Sequence, residues 1–307
     1  VSQRVVVSGG TGYVGSALVS RLAAEGREVV VLSRSQHLPS ELAALSSVRA
    51  RVWDARSPDA IVDALDGAAA VVHLAGARAV AVRFTRRRKK LILESRVKSA
   101  EALVAAIERC ARRPSVVVSA SGVDYYGAHP SDEACDESTP AGGEFLSRVC
   151  VEWEGAARAA ERLGVRVATA RFGVVLGPGK GPLRLMALPF RFFVGGPLGS
   201  GRQIFPWVHL DDALAALELC VQDPALTGPV NITAPGAVTQ RELARALGRA
   251  LHRPSFFPVP AFLLELLFGE GARPIVTGKR VVPQRLLTAG FRFRHPEIDG
   301  ALADALR

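Results

Sequence analysis

Only four cysteines are spread over the 307 residues, and none stands in a Cys-x-x-C pair. Cys110, Cys135, Cys150 and Cys220 are spaced for neither a zinc cage nor a disulfide framework, which predicts a reduced, cytoplasmic setting. Long apolar runs are missing too. The best, Ala261 to Phe268, is short and broken by Glu265, far below the roughly 18 residues of a membrane span. No membrane partner is expected, and no secretory signal, because Arg4-Val5-Val6-Val7 already reads as a strand. Aromatic residues make up 6% of the chain, leaving few faces on which bases could stack. Lysine is scarce: 5 of 39 basic residues, against 34 arginines. A net charge of +10 built this way reflects an Arg- and Ala-heavy composition rather than a nucleic-acid footprint. A small anionic ligand fits it better.

What is present describes a folded enzyme-sized chain. A mean hydropathy of +0.20 with 22% charged residues excludes disorder. The length suits two domains, or one large α/β domain with an appended lobe. Val5–Val7, Val29–Leu32, Arg49–Trp53, Ala70–Leu74, Val116–Ser119 and Val165–Ala170 read as buried strands. Helical patterns alternate with them, clearest at Leu91–Cys110 and Phe145–Leu163. That alternation predicts parallel strands joined by right-handed crossovers, a Rossmann-type doubly wound α/β sheet. Past Gly173 the glycine and proline runs at 177–182 and 195–199 mark a change of texture. The expected division is a nucleotide-binding domain of residues 1–173 with 203–227, and a smaller C-terminal substrate lobe of 174–202 with 228–307. No internal repeat or low-complexity tract is present.

Val5-Val6-Val7-Ser8-Gly9-Gly10-Thr11-Gly12-Tyr13-Val14-Gly15 is a strand, a glycine turn and a helix start, with Gly10, Gly12 and Gly15 satisfying G-x-G-x-x-G. Glycine lets the backbone turn tightly and approach a pyrophosphate, whose charge meets the positive end of the next helix. The turn from Gly9 through Thr11, Gly12, Tyr13 and Val14 is the expected dinucleotide cradle. A ribose 2′-hydroxyl reader would be an acid about 20 residues on. Leu32-Ser33-Arg34-Ser35 stands there instead, so Ser33 and Arg34 predict NADP, with NADPH preferred over NADH. Asp54, ending the third strand, is expected to meet the adenine amino group, and Leu74-Ala75-Gly76 to let the cofactor lie on backbone.

These segments, with Val118-Ser119-Ala120-Ser121 and Tyr125-Tyr126-Gly127, resemble an extended short-chain dehydrogenase/reductase of the NAD-dependent epimerase/dehydratase type. Trp153-Glu154, Gly173–Gly177, Gly195–Gln203, Trp207–Asp212, Leu251–Pro254 and Pro283–Phe293 narrow the resemblance to one atypical branch. That branch comprises "epimerase family" proteins with a C-terminal domain of unknown function, some labelled cell-division-inhibitor-like. The similarity runs along essentially the whole chain. The resemblance implies a Tyr-x-x-x-Lys pair, in which lysine lowers the tyrosine pKa for proton transfer. The chain has none: its tyrosines are 13, 125 and 126, and Leu146 and Cys150 occupy the expected positions.

What remains is Ser121, placed to orient a substrate oxygen, and the Tyr125-Tyr126 pair; Tyr126 is favoured as proton donor because Tyr126-Gly127 matches the superfamily's Tyr-Gly. An unassisted tyrosine titrates near ~10, making it an acid at neutral pH and a poor base. This favours reduction over alcohol oxidation. Arg96 replaces the asparagine of typical relatives and is either a cofactor contact or an exposed helical arginine. Arg86-Arg87-Arg88-Lys89-Lys90 is the solvated start of a helix, or a mouth attracting anions. His209 and Asp211 have no third ligand nearby in sequence and are expected to form a joint between lobes.

Three functions stay open: an NADP(H)-dependent oxidoreductase acting on a small carbonyl or sugar-like substrate, a non-catalytic NADPH-binding sensor or scaffold, and a sugar-nucleotide epimerase or dehydratase. The Leu91–Cys110 and Phe145–Leu163 helices resemble those through which relatives form homodimers, and their apolar stripes serve either such an interface or the core.

Overall fold

The computed structural model describes residues 4–79, 83–130 and 133–307. Seven parallel strands form one sheet: β1 Val5–Ser8, β2 Val29–Ser33, β3 Val48–Val52, β4 Ala70–His73, β5 Val116–Gly122, β6 Arg166–Phe172 and β7 Gly228–Ile232. Their spatial order is β7-β6-β5-β4-β1-β2-β3. Valine dominates the central strands because both faces are covered, so a β-branched side chain is buried wherever it points. The order reverses between β1 and β4, and the crevice beyond their carboxyl ends is where such sheets take ligands.

Among the described residues, eight helices of eight residues or more follow in chain order: α1 Tyr13–Ala24, α2 Arg86–Glu108, α3 Phe145–Arg158, α4 Pro182–Arg191, α5 Leu210–Gln222, α6 Gln240–Leu251, α7 Ala261–Phe268 and α8 Ile298–Ala305. On one face of the sheet, Leu18 and Leu22 of α1 and Leu214 and Leu217 of α5 pack against Val5, Val7 and Val72. On the other, Leu103 and Ile107 of α2 and Trp153 and Ala157 of α3 cover Val6, Val71 and Val117. The apolar stripes of α2 and α3 therefore face the sheet. Helix α2 begins at Arg86 because the Thr85 hydroxyl caps it, accepting the Arg88 amide at 3.2 Å. The basic run is thus the first turn of a helix.

The small lobe has its own core, in which Leu183 and Phe190 of α4 meet Leu243 and Leu247 of α6, Leu302 of α8 and Trp207. Short strand pairs tie it together: 174–176 with 207–209, and 204–205 with 238–239. The expected boundary at residue 227 shifts. Gly228–Ile232 pairs with β6 as the outermost strand of the sheet, and Leu286 packs under the α1–α5 layer, so the chain returns to the large domain twice.

Candidate functional site

The glycine turn is shaped by contacts that leave no room for side chains. Gly9 has φ +71°, and a Cβ there would lie 2.8 Å from the Leu74 carbonyl carbon. A Cβ on Gly15 would lie 2.2 Å from the Gly9 oxygen, so α1 starts directly against the turn. Gly12 is the N-cap of α1 and provides no side-chain acceptor, which leaves the first amides of the helix for a ligand.

A groove of about 1100 Å³ opens here, lined by Gly9, Thr11 and Gly12, by Ser33 and Arg34 at the end of β2, by Asp54 after β3, and by Leu74, Ala75 and Gly76 after β4. Two residues that the sequence reading passed over, His37 and Arg56, join them. Ala55, between Asp54 and Arg56, holds φ +63°, an unusual conformation for a non-glycine residue at the edge of a groove.

Three expected residues have side chains engaged elsewhere. Those of Tyr13 and Val14 turn away from the groove, leaving it only their backbone at the start of α1. The Tyr13 ring wedges between lobes against Gly181, whose Cβ would lie 2.4 Å from the ring, and burial together with Asp211 pushes its hydroxyl up to about 12. Val14 packs on the α1–α5 core. Asp54 lines the groove, but its carboxylate accepts the Arg56 and Ser57 amides, both at 2.8 Å, and the Ser57 hydroxyl at 2.9 Å. Those backbone amides hold it below the usual carboxylate range.

At the carboxyl end of β5, the residues singled out for chemistry enter a buried network. The Ser121 hydroxyl donates to Glu154 Oε1 at 2.7 Å. Arg171 on β6 grips the same carboxylate with two hydrogen bonds, Nε at 2.8 Å and Nη2 at 2.9 Å. Its Nη1 also donates to the Tyr126 hydroxyl at 3.0 Å, which donates in turn to Asn231 Oδ1 on β7 at 2.7 Å. Burial opposes the Arg171 charge, but the Glu154 hydrogen bonds and charge outweigh it and raise its pKa.

Tyr126, expected to face substrate, is fully buried, with a hydroxyl committed on both sides and a pKa raised by burial. It belongs to the frame. Tyr125 is half-buried; its hydroxyl makes no hydrogen bond among the described residues, and the Arg171 guanidinium lies 3.4 Å from its ring centroid.

Cys150 sits behind Ser121, its thiol on the Gly122 carbonyl at 3.7 Å and pushed up to about 12 by burial and by Asp124 and Glu154. It is no substitute for lysine. Arg96 is neither fully exposed nor in the groove's lining. Its guanidinium packs beneath Gly76 and lies 5.1 Å from the Trp153 ring, with burial lowering its pKa. The buried Lys279 of the small lobe donates to Asp124 at 2.8 Å, joining the lobes beside the tyrosines. Lys279, Arg171 and Glu154 acquire these roles only through residues distant in sequence.

The expected joint at His209 is more populated than the sequence suggests. His209, Asp211, His295 and Asp304 bring their ligand-type atoms within 4.8 Å of one another, and the two imidazoles stack at 3.9 Å. His209 Nδ1 accepts the Asp211 amide at 3.2 Å, which places the ring proton on Nε2, toward Asp304. The ring caps α5 and braces the small lobe.

Comparison with known proteins bears on this geometry. Residues 5–233 match the NAD dependent epimerase/dehydratase family, and residues 259–305 match DUF1731, a domain of unknown function. The chain is 39% identical over 308 residues to the chloroplastic epimerase family protein SDR39U1 homolog of Arabidopsis thaliana, covering 97% of this chain and 85% of that one. It is 33% identical to the epimerase family protein YfhF of Bacillus subtilis, covering 98% and 97% of the two chains. Human epimerase family protein SDR39U1 (isoform 2), crystallised with NADPH, superposes with a TM-score of 0.86 at 33% identity, covering 98% of both chains. The parallel sheet, the glycine cradle and the matched C-terminal segment together place this chain in the NAD-dependent epimerase/dehydratase family, among the SDR39U1-like proteins that carry DUF1731.

Proposed function

We propose that the chain binds NADPH in preference to NADH and uses it to reduce a small carbonyl or sugar-like substrate held between the sheet and the small lobe. The groove carries this reading: a glycine cradle closed to side chains at the amino end of α1, with Arg34 and Arg56 at its other end. The α1 amides would hold the pyrophosphate, and the two guanidiniums the 2′-phosphate. The NADPH bound by the human relative supports the choice. When bound, the cofactor supplies a hydride. Tyr125, whose hydroxyl is uncommitted, donates a proton to the developing alkoxide, while the Glu154–Arg171 pair fixes Ser121 and the tyrosine rings in place. With no lysine beside it, the phenol serves reduction better than oxidation or an epimerisation that needs acid and base in turn. The exposed Arg86, Arg87 and Lys90 stand on the helix whose Leu91, Glu94 and Ser95 line the groove, and would draw in an anionic substrate.

One observation favours a second reading, a non-catalytic NADPH-binding protein: the Ser121 hydroxyl is spent on Glu154. Calorimetric titration tests the cofactor. Arg34→Ala should lose a charge-assisted hydrogen bond worth ~1.5–3 kcal/mol, roughly 10- to 150-fold in NADPH affinity, and leave NADH nearly unchanged. Tighter NADH than NADPH in the parent protein would remove the proposal. Single-turnover oxidation of bound NADPH across a carbonyl panel tests the chemistry. Tyr125→Phe should slow it about 100-fold. Tight NADPH binding with no oxidation by any acceptor selects the second reading.

A further inference from the structure

The small lobe exposes an apolar surface that its own core does not use. Phe192 and Phe193, just past α4, are 69% and 55% exposed, and Phe256 and Phe257 are 69% and 46% exposed. The two segments lie side by side, with the Phe257 amide on the Gly195 carbonyl at 3.1 Å and the Val259 amide on the Pro197 carbonyl at 2.8 Å. Helix α7 follows at once. Only Leu264 in it is buried, while Phe262 and Leu266, one turn apart, are 64% and 66% exposed. Soluble domains seldom leave so many large apolar side chains in water without a partner.

The charge around this surface identifies the partner. No carboxylate occurs between Glu161 and Asp211, nor between Glu242 and Glu265, the two stretches that hold the four phenylalanines; α7 carries the exposed Glu265 between Phe262 and Leu266. Arg184 and Arg191 of α4 are exposed and have no carboxylate partner among the described residues. Arg253 lies 4.6 Å from the Phe193 ring, so a cation borders the apolar surface. Beside it is a shallow depression of about 720 Å³, lined by Arg245, His252 and Arg253, with Arg249 paired to Asp299, and ending on Phe256. Around Phe192, Phe193, Phe256 and Phe257, apolar side chains bordered by Arg191 and Arg253 with no acid in those two segments match the acyl–headgroup boundary of an anionic bilayer.

We propose that this face docks the protein on the surface of an anionic lipid membrane, with the phenylalanines in the boundary region and the arginines on lipid phosphates. No described helix is long and apolar enough to cross a membrane, and the contact proposed is one at the surface.

The test is co-sedimentation of the full chain with phosphatidylcholine vesicles, with and without 30 mol% phosphatidylglycerol (roughly the regime in which surface charge acts). Binding should require the anionic lipid and weaken with salt. Phe192→Ser with Phe256→Ser, two side chains outside any core, should lower partitioning by about tenfold or more. Arg184→Glu with Arg191→Glu should lower it at least about fivefold per charge removed. Arg49→Glu, on β3 at the far edge of the sheet, should change it little. Overturning results are equal partitioning with or without phosphatidylglycerol, no binding to either, or binding indifferent to the serine pair. A dimer in sedimentation velocity that the serine pair converts to monomer, without vesicle binding, would assign the face to a second copy instead.

Discussion

Replacing Glu154 by glutamine interrogates the buried network that holds the site. Glu154 is 5% exposed and Arg171 3%, so neither charge can turn to water when the other is lost. The carboxylate accepts three hydrogen bonds, one from Ser121 and two from Arg171. Glutamine keeps the volume but sets an NH2 group against a guanidinium N–H and leaves a buried cation without its counter-charge. Breaking a buried pair from one side costs ~3–5 kcal/mol. With an unfolding entropy of about 2.1 cal/mol/K per residue, 307 residues convert that into a fall of about 5–8 °C in the thermal midpoint. Scanning calorimetry reads it directly. Adding Arg171→Met to Glu154→Gln should recover at least about half of the loss, since the unpaired charge is then gone. A fall under about 2 °C for the single variant, or a double variant no better than the sum of its parts, would refute the reasoning.

His73, fully buried beneath the groove, bonds the Ser8 hydroxyl at 2.6 Å and the Ser99 hydroxyl at 3.1 Å, and burial depresses its pKa from 6.5 to about 4. The folded state then binds fewer protons than the unfolded one, so the stability is fully present above pH 6.5 and is lost as pH falls toward 4; it amounts to roughly 3 kcal/mol. Urea midpoints measured from pH 7 to 4 should drop less steeply in His73→Gln, and parallel curves would contradict the assignment. Gly15→Ala places a Cβ 2.2 Å from the Gly9 oxygen and should cost NADPH affinity more than about tenfold in the titration used for Arg34. Undiminished binding would show that the turn yields.

Where local pattern and environment agree, the sequence reading matches the molecule closely. The strand expected at Val5–Val7 spans Val5–Ser8, and that at Val29–Leu32 spans Val29–Ser33. The strand expected to end at Ala170 continues through Arg171 to Phe172, because Arg171 is a charged residue buried by a partner 17 positions away. Helix α2 starts five residues ahead of the expected Leu91, since a threonine cap and an arginine-rich turn carry no apolar period to announce them. Gly228–Ile232 holds too few apolar residues to read as a strand, and only pairing with β6 makes it one.

The site divides in the same way. Gly9, Thr11, Gly12, Ser33, Arg34 and Leu74–Gly76 line the groove because they end or directly follow strands whose valine runs already determine where the chain emerges. Amino-acid order alone therefore settles the doubly wound sheet, the glycine turn and the missing Tyr-x-x-x-Lys pair, since each depends on neighbours within a few residues. Which tyrosine is free does not: Tyr126 and Tyr125 are adjacent and chemically identical. They are separated only when Arg171 from β6 and Asn231 from β7 take one hydroxyl into the interior and leave the other open. That choice, like the pairing of Lys279 with Asp124 and the stacking of His209 on His295, joins residues tens to more than a hundred positions apart. Tertiary packing decides it, because a buried polar group must find its partner wherever the fold brings one.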